Sequence, residues 1–91
     1  MLTFEPQNQF RRDVKRVQRR GLDMSLLGTV INTLLAEQPL PVSCCDHGLV
    51  GVYDQARECH IQPNWLLVYR IDQRRHALIA VRTGSHADLF G

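Results

Sequence analysis

No stretch of this chain approaches the ~18 consecutive apolar residues of a membrane span. The opening residues, Leu2-Thr3-Phe4-Glu5-Pro6, lack the basic start and apolar core of a secretory leader. A cytoplasmic protein is therefore expected. Cysteine is scarce: Cys44, Cys45 and Cys59 are odd in number, two are adjacent, and no C-x-x-C pair occurs. That excludes a secreted disulfide framework and fits reduced thiols. Glycine-rich phosphate loops, internal repeats and low-complexity segments are absent as well. Lysine is nearly missing, since Lys15 is the single lysine among eleven cationic residues and the other ten are arginine.

What is present describes a small globular protein. With 91 residues, 44% of them hydrophobic and 22% charged, residues 1–91 are expected to form one domain. A chain of this size buries only about 60 to 65% of its unfolded surface, so its stability is ordinary to marginal. The net charge of +2 is modest. The arginine bias carries more information, because a planar guanidinium fork suits phosphate and stacks on bases, which makes a polyanion a plausible partner. Ordinary solvated faces in an arginine-rich composition are the plainer account.

The stretch His60 to Tyr69 reads as a β-hairpin. Arg57 to Gln62 and Trp65 to Ile71 have strand-like density, and Pro63-Asn64 forms the turn, with types I and II both open. A two-residue loop sets Gln62 opposite Trp65 and His60 opposite Leu67. His60, Trp65, Leu67 and Tyr69 then share one face of the sheet. Ahead of the hairpin, Leu2 to Phe4 suggests a short strand stopped by Pro6. Asn8 to Arg20 forms a helix with a narrow stripe at Phe10, Val14 and Val17, other faces that are basic, and Gly21 just beyond its end. Asp23 or Ser25 caps a second helix running to about Glu37, with Leu26, Leu27, Val30, Ile31, Leu34 and Leu35 on its apolar side. Pro39 and Pro41 end it. Val42 to Ala56 reads as a long loop. After the hairpin, a turn at Asp72 to Arg75 leads to a strand over Ala77 to Arg82, and Ser85 with Asp88 forms a capping box for a last helical turn.

Strand, two helices, then consecutive strands indicate an α+β domain. An antiparallel helix pair covers one face of a small, mostly antiparallel sheet, and the other face is left for function.

The reactive side chains are histidines: His47 in the long loop, His60 on the hairpin, His76 in an arginine-rich turn, and His86 after the final strand. Imidazole exchanges protons near neutral pH, and Arg82 precedes His86 closely. This set suits cleavage of RNA by its own 2′-hydroxyl: one group takes the hydroxyl proton, another protonates the leaving 5′-oxygen, and a cation steadies the phosphorane. Neither metal nor cofactor is required. Trp65, Tyr53 and Phe90 could stack on bases, and the basic face near Arg11, Lys15 and Arg19 could hold RNA. Each has a duller account, as a hydrogen-bonded histidine, a core tryptophan, a solvated arginine or a tail staple. Cys44, Cys45, His47, Cys59 and His60 hold enough ligands for zinc, but the spacing is wrong for it. Cys59 and His60, adjacent on a strand, point to opposite faces and cannot form a nucleophile pair.

The string Asp46-His47, Leu49, Gly51, Arg57, His60, Pro63, Trp65-Leu66-Leu67 and Tyr69 closes with Arg82-Thr83-Gly84-Ser85-His86-Ala87-Asp88-Leu89-Phe90. It resembles the YafQ branch of the RelE superfamily of bacterial toxins over nearly the whole chain. The resemblance implies the RelE-like, microbial-RNase-like fold. It also implies a ribosome-dependent endoribonuclease that cuts mRNA in the decoding site and is silenced by a cognate antitoxin in a hetero-oligomer. His47, His60 and His86 become the catalytic histidines by resemblance, Arg82 the phosphate-stabilising cation, and Trp65 and Phe90 supporting or base-stacking groups. Where the family has P-D-W, this chain has Pro63-Asn64-Trp65, and Tyr53 stands where Trp is common. A neutral amide at 64 neither accepts a proton nor holds a histidine cationic, so weakened activity is expected. A non-catalytic module that binds antitoxin or ribosomal RNA is the competing class.

Overall fold

A computed structural model describes residues 1–49, 51 and 55–91. Among them the elements are β1 (Thr3–Pro6), α1 (Asn8–Arg19), α2 (Met24–Leu35), a 3-10 turn (Val42–Cys44), β2 (His47–Gly48), β3 (Arg57–Gln62), β4 (Trp65–Asp72), β5 (Ala77–Gly84) and α3 (His86–Phe90). The strands form one sheet in the order β1-β5-β4-β3-β2. All pairings are antiparallel except β1 with β5, which is parallel. No helix of the described residues is long and apolar enough to cross a membrane.

Local chemistry accounts for the helices. Asp23 caps α2, its carboxylate accepting from the Ser25 N–H at 3.0 Å, a contact worth about 1 kcal/mol. Asp72 does the same for the turn before β5, accepting from the Arg74 and Arg75 amides. Pro6 ends β1 rather than lying beyond it. A sheet edge tolerates a residue that has no N–H to offer. The segment read as an unbroken loop from Val42 to Ala56 contains β2, whose two residues pair with Glu58 and Arg57. Two residues are too few for any periodicity to show.

Both helices pack on one face of the sheet. Phe10 and Val17 of α1 and Leu27, Val30 and Leu34 of α2 form one cluster with Cys59, Trp65, Leu67, Tyr69, Leu78 and Ala80. The opposite face is not left wholly open. Leu66 and Val68 of β4 are closed off there by Ala56 and Leu89, the latter from α3. That second, smaller cluster makes β4 a strand buried on both sides and docks α3 onto the sheet.

The hairpin register differs from the regular one. Gln62 pairs with Trp65, but His60 pairs with Leu66 and Cys59 with Leu67, so Ile61 is an extra residue in a bulge. Cys59 and Ile61 turn into the helix-side core while His60 turns away from it. His60 therefore does not share a face with Trp65, Leu67 and Tyr69. The bulge reverses it, because a one-residue slip exchanges faces.

Candidate active site

On the face away from α1 and α2, alternation along β3 presents Glu58 and His60 together. β2 sets His47 opposite Glu58. Across the sheet, His60 pairs with Leu66 and Leu66 with Gly84. Two residues beyond Gly84, His86 begins α3. The His60 and His86 rings approach with centroids 5.8 Å apart, and the Phe90 ring lies 6.1 Å from His86. Ligand atoms of Glu58, His60 and His86 all lie within 4.8 Å of one another.

Glu58 is the buried hub of this cluster. Its Oε2 is 2.9 Å from His47 Nε2, with the Glu58 side chain 6% and the His47 side chain 51% exposed. His47 Nδ1 lies 2.7 Å from the Cys45 carbonyl oxygen. The two ring nitrogens thus each face an oxygen acceptor, which fixes the plane of the imidazole. His47 is held from behind as well. Asp46 accepts from Tyr69 Oη at 2.7 Å and from Arg57 Nε at 3.2 Å. Burial, and then the Asp46 carboxylate, push the Tyr69 phenol well above its ordinary range, so it remains a donor.

The end of β5 is fixed at three points. Arg82 donates to Asp13 of α1 through Nε (2.7 Å) and one Nη (3.1 Å), and the Thr83 N–H donates to the same carboxylate. Thr83 Oγ1 accepts from Trp65 Nε1 and donates to the Leu66 carbonyl. Beyond it, Ser85 and Asp88 form the expected capping box. Asp88 also takes both ends of the Arg20 guanidinium, at 2.6 and 2.9 Å. That hydrogen-bonded pairing holds the Asp88 carboxyl well below the usual range. Gly84 is required here, since a Cβ in its place would sit 2.8 Å from Asp88 Oδ2.

Of the residues singled out from the sequence, His60 and His86 meet, and His47 joins them through Glu58. Asn64 reaches the cluster from the hairpin turn, its Oδ1 accepting from the His86 N–H at 3.2 Å. Phe90 is half exposed beside His86. Trp65 is not available to a base. It is 2% exposed within the helix-side core, and its indole N–H is spent on Thr83. Arg11, Lys15 and Arg19 lie exposed on α1, on the other side of the sheet from the histidines. His76 is an exposed turn residue 3.6 Å from Glu37. Tyr53 falls outside the described residues.

The thiols take no part in the cluster. Cys59 is fully buried and its pKa is pushed up to about 12, chiefly by burial, so it stays protonated. Among the described residues, Glu58, His60 and His86 form a group able to hold a metal, and it contains no cysteine.

Two residues absent from the sequence-based set are central: Glu58 and Asp13. Glu58 stands two residues before His60 on one strand, a usable signal. Asp13 is the acid on the apolar side of a basic helix, three residues after Phe10 and four before Val17.

A model of the family described as "Bacterial toxin of type II toxin-antitoxin system, YafQ" matches residues 2–91. The chain is 38% identical over 89 residues to the mRNA interferase toxin YafQ of Escherichia coli K12, covering 97% of this chain and 95% of that one. Among solved structures, a metal-bound toxin from Helicobacter pylori superposes with a TM-score of 0.93 at 43% identity, covering 99% of this chain and 100% of that one. YafQ in the E. coli DinJ-YafQ complex gives 0.90 at 36% identity, with both chains fully covered.

Proposed function

The chain belongs to the YafQ family of bacterial toxins of type II toxin-antitoxin systems, and on that premise we propose that it is an endoribonuclease, an mRNA interferase held inactive by a cognate antitoxin. The observation that carries the chemistry is the juxtaposition of His60 and His86 around the buried Glu58 carboxylate. An E. coli relative is named an mRNA interferase and is known in complex with DinJ. The partner here is accordingly an antitoxin protein, bound in a hetero-oligomer.

The cut is an attack by the ribose 2′-oxygen on the adjacent phosphorus. A P–O bond forms, the 5′-oxygen leaves, and a cyclic phosphate remains. One histidine of the pair removes the 2′-hydroxyl proton and the other delivers a proton to the 5′-oxygen. Glu58 and His47 hold the pair oriented, Arg82 balances the phosphorane charge, and Phe90 stacks on a base. Acid, base and cation are thus all side chains, and the reaction needs no metal. The codon is presented by the ribosome, whose RNA meets the basic face of α1 at Arg11, Lys15 and Arg19. Growth arrest on induction without antitoxin, with ribosome-phased 5′ ends of cut mRNA, is the expected result. Arrest with intact mRNA would favour a non-cleaving module that occupies the ribosome.

Asn64 modulates this site. Its Oδ1 accepts from the backbone of His86, a bond an aspartate makes with added charge. The carboxylate would also stand beside His86 and favour its proton-donating cationic form, so Asn64→Asp is expected to raise the cleavage rate a few-fold. An unchanged or lower rate would show that the amide serves as well.

One carboxylate and two imidazoles within 4.8 Å form a donor set that suits Cu²⁺ or Zn²⁺. A metal held by Glu58, His60 and His86 would occupy the lone pairs that carry protons. Added Cu²⁺ or Zn²⁺ should suppress cleavage and a chelator restore it. Stimulation by the metal would contradict the proton-transfer reading.

A further inference from the structure

We propose that Asp13 of α1 is a positioning residue for cleavage, acting through Arg82. The inference rests on the reading of Arg82 as the cation that faces the phosphorane. Asp13 is 1% exposed. It accepts from Gln9 Nε2 (3.1 Å), Arg16 (2.9 Å), Arg82 Nε and Nη (2.7 and 3.1 Å) and the Thr83 N–H (3.1 Å). A buried carboxylate is costly unless charge and hydrogen bonds compensate it, and here both do.

The geometry explains why the carboxylate sits where it does. β1 pairs with β5 only as far as Pro6 opposite Ala80, so among the described residues no strand lies beside that edge of β5 beyond this point. Asp13 takes the place of the missing strand at Thr83. The same two oxygens grip Arg82 from the side, through Nε and one Nη, which sets the plane of the guanidinium as well as its position. A helix on the opposite face of the sheet thereby orients the guanidinium that the proposed mechanism uses. Arg16 shares the carboxylate. Without the negative charge, two guanidiniums would be left beside each other and Arg82 would lose the hold that sets its plane.

A residue that merely filled space would tolerate an isosteric amide; a clamp on a cation would not. The test compares mRNA cleavage by the full chain, Asp13→Asn, Arg82→Ala and the double variant, with melting temperatures and the Nε–H resonance of Arg82. Asp13→Asn should lower kcat on the order of 100-fold with KM retained, since small displacements of a catalytic group cost that much. In the Arg82→Ala background, Asp13→Asn should cost nothing further. In the unaltered protein, the Arg82 Nε–H should exchange slowly with solvent. That last measurement stands even if Asp13→Asn does not fold.

Full activity of Asp13→Asn, multiplying losses in the double variant, or fast exchange at Arg82 in the unaltered protein would each overturn the inference while leaving the nuclease reading in place. Unimpaired cleavage by Arg82→Ala would instead remove the role given to Arg82, and the inference with it.

Discussion

His86→Ala is expected to reduce mRNA cleavage by about 10²- to 10⁴-fold, the usual worth of a positioned acid or base. The imidazole is exposed at the start of α3, and the hydrogen bonds that set the helix there use the Ser85 and Asp88 side chains and the His86 backbone, not its ring. Melting temperature should therefore be nearly unaltered, as for other surface substitutions. Induced cells carrying His86→Ala should grow, and their mRNA should lack ribosome-phased ends. Arrest that persists with cut mRNA would remove His86 from the chemistry. Arrest that persists without cuts would mean that the toxin acts by occupancy.

Glu58→Gln is expected to lower the rate about 100-fold, for a different reason. The amide keeps the shape of a side chain that is 6% exposed but loses the charge facing His47 at 2.9 Å and lying beside His60 and His86. An imidazolium opposite a neutral amide is less favoured than one opposite a carboxylate, so the proton inventory of the whole cluster changes at once. His47→Gln removes only one spoke of that arrangement and should cost less. The deciding measurement is the single-turnover rate of both variants. A Glu58→Gln rate equal to that of the unaltered protein would reduce Glu58 to a structural anchor for β2.

The positions of Glu58 and Asp13 mark the boundary between what neighbours along the chain reveal and what they do not. Glu58 shares a strand face with His60 by simple alternation. Asp13 meets Arg82 across 69 positions of sequence, and no local pattern relates the two. Its one trace is an acid interrupting an apolar stripe.

Sequence by itself determined the helices, the Asp23 cap, the final capping box, the strands other than β2 and the set of histidines. Those depend on side-chain periodicity and on caps a few residues long, and both act between near neighbours. The closing Arg82 to Phe90 string carried the family in the same way. Tertiary structure alone decided which face each residue takes. Ile61 gains burial in the helix-side core by forming a bulge, and that one extra residue sends His60 toward His86 instead of Trp65. It also placed Trp65 in the core, where its ring has no access to a base, and gave β5 an aspartate where no strand remained to pair with it. Burial and charge pairing depend on the competition of all the side chains for one small interior, and that competition is resolved only when the layers pack.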